Sequence, residues 1–150
     1  MRLLIQRAAG ASVTIAGRVK SQIGRGLLVF VGIEEADGAE DIEWLCNKLA
    51  KLRIFADENG VMNLDVMQIG GELLVVSQFT LHASTRKGNR PSYIRSAPEA
   101  VSRPLYEQFV QRLSEVAARP VQTGEFGADM QVSLTNDGPV TIWIDSRNRE

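Results

Sequence analysis

GLLVFVGI, residues 26–33, is an unbroken apolar run with glycine at its start and near its end. A run of this length, rich in β-branched and aromatic side chains, reads as a strand covered on both faces. LLVVSQF, residues 73–79, starts in the same way but turns polar at Ser77-Gln78. It reads as a second β segment that leaves the core at that point. Working outward, residues 3–6 read as a first strand. Residues 12–15 and 19–23 alternate polar and apolar around Ala16-Gly17, the pattern of a hairpin. Residues 52–56 read as a strand closed by the turn Asp57-Glu58-Asn59-Gly60. Residues 130–134 and 140–144 read as strands flanking Asn136-Asp137-Gly138-Pro139, whose local chemistry is that of a hairpin turn.

Two segments have helical rather than strand periodicity. In residues 37–52, Ile42, Leu45, Cys46, Leu49 and Leu52 fall at three- and four-residue spacing. Asp37 is the expected N-cap there, with Glu40 completing a capping box. Cys46 lies on the apolar stripe and reads as a packing residue. In residues 103–118, Leu105, Phe109, Leu113 and Val116 form the apolar face, with Pro104 placed in the first turn. Many short strands and two helices give an α+β class: a strongly bent mixed or antiparallel sheet, a partial barrel, with both helices packed outside. The tail 145–150 is polar and reads as frayed.

With 150 residues, 44% hydrophobic and 23% charged, the chain reads as one domain over 1–150, long enough to bury its own core. The N-terminal apolar run is three residues long, too short for a signal peptide or a membrane span, so the expected location is cytoplasmic. One His and one Cys leave little for a catalytic zinc site, so no metal or cofactor is expected. A net charge of −1 argues against a protein that coats nucleic acid through its phosphates, but not against one that grips an RNA end. Arg86, Lys87, Arg90 and Arg95 form a local basic stretch within residues 82–98, which otherwise read as a polar loop.

Chemistry can be carried by Ser77, Gln78, Phe79 and Thr80, where a buried strand ends. Ser77 or Thr80 serves as a nucleophile if a base lies beside it. Backbone N–H groups there serve instead as an oxyanion hole. The lone histidine, His82, reads as a surface residue; on an extended chain it shares a side with Thr80 and becomes the base of a small-molecule esterase.

Taken in order, these segments resemble the D-aminoacyl-tRNA deacylase family over nearly the whole chain. The resemblance is carried by Gln6-Arg7, Ala11-Ser12-Val13-Thr14, Leu52-Arg53-Ile54-Phe55, SQFTL at 77–81, KGNRPS at 87–92, TGEFGADMQVSLTNDGPVT at 123–141 and Asp145-Ser146. It implies a homodimer with a pocket for the aminoacylated 3′ end of tRNA, with neither a membrane nor DNA as partner. It also implies hydrolysis of D-aminoacyl and glycyl esters around Ser77, Gln78, Phe79 and Thr80. A cis Gly138-Pro139 pair would reach into the partner's pocket and exclude L-amino acids by occupying their space. Lys87 and Arg90 are expected phosphate contacts. Either Thr80 attacks, or backbone amides orient the ester while the RNA 2′-hydroxyl assists water. The other readings are the esterase, using Thr80 or Ser77, and a non-catalytic protein that binds RNA ends.

Overall fold

The computed structural model describes residues 1–149. Along the chain run β1 (Arg2–Ile15), β2 (Arg18–Ile23), β3 (Gly26–Gly32), α1 (Ala39–Ala50), β4 (Phe55–Ala56), β5 (Met62–Leu64), β6 (Glu72–Ser77), a 3-10 turn (Phe79–His82), α2 (Glu99–Ala117), β7 (Val121–Thr123) and β8 (Gln131–Asp145). Six strands form one mixed sheet in the order β2-β1-β3-β6-β7, with β8 on the other edge of β1. β3, β6 and β7 are parallel, and β1 is antiparallel to β2, β3 and β8. The sheet is nearly closed into a barrel, with the two helices contributing to the core on its outer face.

The two apolar runs are continuous because both faces of their strands are covered. Leu27, Val29 and Val31 of β3, with Leu73 and Val75 of β6, pack in the cluster that holds Ile42, Leu45 and Leu49 of α1 and Phe109 and Leu113 of α2. Leu28, Leu74 and Val76 face the opposite way, into a second cluster with Ala8, Ala11, Val13 and Ile23. Alternation along a strand sends neighbours to opposite faces, and here neither face meets water. At Gly26 a Cβ would sit 1.9 Å from the Glu72 carbonyl oxygen, so only glycine lets β3 and β6 begin side by side. Tyr106 of α2 donates its hydroxyl to the Val75 carbonyl at 2.9 Å, tying the helix to β6. Cys46 is fully buried, and burial pushes its thiol up to about 12, in keeping with a packing role.

Several local expectations are corrected. α1 is capped one residue later than expected: the Gly38 N–H donates to Asp41 at 2.9 Å, and Glu40 takes no part. Asp37 is instead occupied by the Met1 ammonium at 2.5 Å, both side-chain and amine groups being sealed from solvent. α2 begins at Glu99 rather than 103, so Pro104 lies inside the helix, while Leu105 and Val116 flank a stripe centred on Tyr106, Phe109 and Leu113. The tail is anchored as far as it is described. Ser146 donates to Asp41 at 2.6 Å, Arg147 pairs with Asp37 at 3.2 Å, and Arg149 lies 4.5 Å from the Trp44 ring. Glu150, also expected to fray, lies outside the described residues.

The largest correction concerns 130–144. There is no hairpin: β8 is one strand that pairs with β1 from Thr14↔Gln131 to Arg2↔Asp145. Between Gln6↔Thr141 and Ala8↔Asn136 the ladder skips residues on β8, so Asp137, Gly138, Pro139 and Val140 arch out as a bulge. Turn-forming residues serve both structures, and only long-range pairing with β1 separates them.

Candidate active site

β6 ends at Ser77 beside Val31, its last ladder partner. Gln78 still donates its N–H to the Val31 carbonyl at 2.8 Å; beyond it the chain coils into the 3-10 turn. There a cleft of about 340 Å³ opens, lined by Ser77, Gln78 and Phe79 and by Phe126, Asp129 and Met130. Val31 and Ile33 of the β3 end, Ala97 and Ser102 at the start of α2, and Val132 complete it. The lining is mixed: apolar side chains such as Val31, Ile33 and Phe126 alternate with the polar groups of Ser77, Gln78, Ser102 and Asp129. The first N–H groups of a helical turn have no acceptor within the turn, which applies here to those of Phe79 and Thr80.

Thr80 belongs to this turn but does not line the cleft. Its hydroxyl oxygen accepts a hydrogen bond from the Gln78 side-chain amide at 2.5 Å. His82 is not a surface residue. Its ring is fully buried, and the 3-10 geometry advances about 120° per residue, so Thr80 and His82 do not share a side. A Cβ on Gly32 would meet the ring at 3.1 Å, so the imidazole is packed under β3. Neither ring nitrogen has a hydrogen-bond partner of good geometry among the described residues. The Glu34 carboxylate is 3.8 Å from Nδ1. Burial lowers the pKa of His82 below its ordinary 6.5; the Gly32 backbone and Glu34 oppose this only in part.

That shift has a measurable consequence. A histidine with a lowered folded-state pKa binds protons more readily when unfolded, so stability present above about 6.5 is lost as pH falls below it. His82 is the only histidine, so it governs the window between pH 5 and 7.5. The urea midpoint should fall across this window in the wild type and fall less in His82→Gln. Parallel slopes in the two proteins would contradict the assignment.

Gly138 and Pro139 are exposed on the β8 bulge and do not line the cleft of their own chain. The bond between them is cis. The bulge is held by Arg7, which the sequence reading quoted within Gln6-Arg7 but gave no role. Its Nε donates to the Asp137 carbonyl at 2.9 Å, and its Nη1 donates to the Ile54 carbonyl at 2.6 Å. Its side chain is only 13% exposed. The available signal was parity: Leu3 and Ile5 point inward, and Arg7 continues that series with a charge. Phe126, Asp129 and Met130, which also line the cleft, were quoted within residues 123–141 but not given a place in the site; they arrive from a loop that has no periodicity.

Lys87 and Arg90 lie in an exposed loop whose neck is closed by Ser84 and Ser92, each donating its N–H to the other's carbonyl at 2.8 and 2.9 Å. Arg86, Lys87 and Arg90 have no acidic partner among the described residues, whereas Arg95 pairs with Glu34 at 3.2 Å. No helix among the described residues is long and apolar enough to cross a membrane.

Comparison with known proteins adds the following. The family model described as D-Tyr-tRNA(Tyr) deacylase matches residues 4–145. A D-aminoacyl-tRNA deacylase of Bacteroides thetaiotaomicron is 60% identical over 150 residues, covering all of both chains. One of Chromobacterium violaceum is 59% identical, again over the full length of both. Among solved structures, a c-Myc DNA unwinding element binding protein superposes with a TM-score of 0.92 at 40% identity, covering 97% of this chain and 98% of that one. A probable eukaryotic D-amino acid tRNA deacylase shares the fold, with a TM-score of 0.81 at 17% identity over 95% of this chain and 97% of the other.

Proposed function

The chain belongs to the D-Tyr-tRNA(Tyr) deacylase family, and from that premise we propose that it hydrolyses the ester of D-aminoacyl-tRNA in the cytoplasm. Glycine mischarged on tRNA is a second substrate. The products are free amino acid and tRNA. The observation that carries the reading is the cleft at the end of β6, where Ser77, Gln78 and Phe79 line a cavity next to the first amides of a helical turn.

In this reading the ester carbonyl lies against the backbone amides of Phe79 and Thr80, beside Ser77 and the Gln78 side chain, the Gln78 N–H being held by the Val31 carbonyl. Water adds to the carbonyl carbon, the bond to the ribose 3′-oxygen breaks, and that oxygen takes up the proton. The neighbouring 2′-hydroxyl assists the water. One well-placed oxyanion donor contributes roughly 3–4 kcal/mol to such a step. The engagement of the Thr80 hydroxyl by Gln78, and the sealed position of His82, support this route over attack by Thr80. They also remove the support for an esterase that uses His82 as base.

Discrimination against L-esters comes from Gly138 and Pro139 of one protomer entering the cleft of its partner in a homodimer. Their exposure, and their position outside their own chain's cleft, support that arrangement. Lys87 and Arg90 meet phosphates of the RNA end. The test of the mechanism is Thr80→Ala. It should fold and keep D-ester hydrolysis within about tenfold of wild type, a change of about 1.4 kcal/mol in the barrier. Complete loss, with an acyl-enzyme trapped on the wild-type Thr80 by acid quench, would assign the nucleophile to that residue instead.

A further inference from the structure

Phe79 lines the cleft, yet it is 56% exposed, so its ring stands at the mouth. Tyr93 meets it edge to face, with ring centroids 5.0 Å apart and planes at 76°. Tyr93 is itself 39% exposed, and the next residue, Ile94, is 89% exposed. This apolar patch does not belong to a loosely held loop. The Ser96 hydroxyl donates to the Phe79 carbonyl at 2.8 Å. Arg95 is fixed to Glu34, and the Ser84–Ser92 pair closes the neck. The tip between those serines carries Arg86, Lys87 and Arg90, all exposed. Exposed aromatic rings and a loop of cations that begins at the residue next to Tyr93 suit one kind of ligand, an unpaired nucleic-acid strand whose bases stack while its phosphates meet the cations.

We infer that Phe79 and Tyr93 form a stacking platform for the nucleotide that precedes the terminal adenosine, with Arg86, Lys87 and Arg90 along the adjoining backbone. The inference rests on the deacylase reading, because it takes the aminoacylated adenosine to occupy the cleft. An RNA strand leaving the cleft passes the Phe79 ring first. Two aromatic residues accept any base, since every base has a π-face, so this contact adds affinity without sequence preference.

The experiment uses the full-length protein and a short single-stranded RNA with 2-aminopurine one nucleotide from its 3′ end. Stacking should quench the probe on the wild-type protein and on Tyr93→Phe. In Tyr93→Leu, which keeps an apolar side chain but removes the ring, quenching should be lost and Kd raised about tenfold. The same variant should raise KM for D-aminoacyl-tRNA with little change in kcat, and should hydrolyse D-aminoacyl-adenosine as the wild type does. An unquenched probe on the wild type, an unchanged Kd in Tyr93→Leu, or an equal loss on D-aminoacyl-adenosine would each overturn the platform. So would dissociation of an oligomer in that variant, which would make a second copy of the chain the occupant. Quenching without hydrolysis of D-aminoacyl-tRNA would leave the platform standing and overturn the deacylase reading.

Discussion

Gly138→Ala should cost the protein most of its preference for D- over L-aminoacyl esters while leaving the fold intact. Gly138 has φ +131°, a backbone conformation that side-chain-bearing L-residues rarely adopt. An added Cβ would sit 2.7 Å from Arg7 Nη2 and 2.9 Å from Val140 Cγ2. The bulge must therefore shift, and the shift acts on Arg7, the residue that holds Asp137 and Ile54 together. Because Gly138 and Pro139 are exposed, the displacement costs little packing; a loss of about 1–3 kcal/mol of stability is expected for a strained backbone position. The proposed chemistry at Ser77 to Thr80 lies on other elements, which the substitution leaves in place. The ratio of D- to L-ester hydrolysis should fall at least tenfold, about 1.4 kcal/mol. An unchanged ratio in a protein that melts normally would show that the bulge does not exclude L-substrates.

Asp37→Ala should be the most destabilising single polar substitution at the head of α1. The Asp37 carboxylate is sealed from solvent together with the Met1 ammonium, 2.5 Å away. It also accepts the Glu34 N–H at 2.8 Å and the Arg147 guanidinium at 3.2 Å. Removing it leaves a buried cation without its partner, which costs about 3–5 kcal/mol. In a chain of this length that lowers Tm by roughly 6–20 °C. A control is available in the exposed Arg103–Glu99 pair on α2, where Glu99→Gln should change stability by less than about 0.5 kcal/mol. A Tm shift in Asp37→Ala no larger than in Glu99→Gln would contradict the account of the buried pair.

The parts of this fold legible in the sequence were those written in local pattern. GLLVFVGI is continuous because helices cover one face of β3 and a second cluster covers the other. The stripe from Ile42 to Leu49 is periodic because one side of α1 meets the core. Ser77-Gln78 marked the exit of β6 correctly, since a strand that leaves a covered sheet must change polarity there. What was not legible depends on partners far along the chain. His82 reads as a surface residue until β3 is seen to pack over it. The cap of α1 moves to Gly38 because Asp37 is taken by the Met1 amine and Arg147. Asn136 to Pro139 have the composition of a turn, and only the pairing of the flanking Asn136 with Ala8 and Thr141 with Gln6 makes them a bulge. For the same reason the part of the cleft at Ser77 was legible, whereas the part at Phe126 to Met130 and the hold of Arg7 on the bulge were not.

The most direct test of the central claim is deacylation of a single tRNA charged with either D-tyrosine or L-tyrosine, at matched enzyme concentration. Rapid loss of the D-ester is expected with the L-ester left intact, a ratio on the order of a thousandfold, or about 4 kcal/mol between the two transition states. Equal rates on the two esters would contradict that claim by leaving an esterase without chirality, and no hydrolysis of either would leave a protein that binds RNA ends without acting on them.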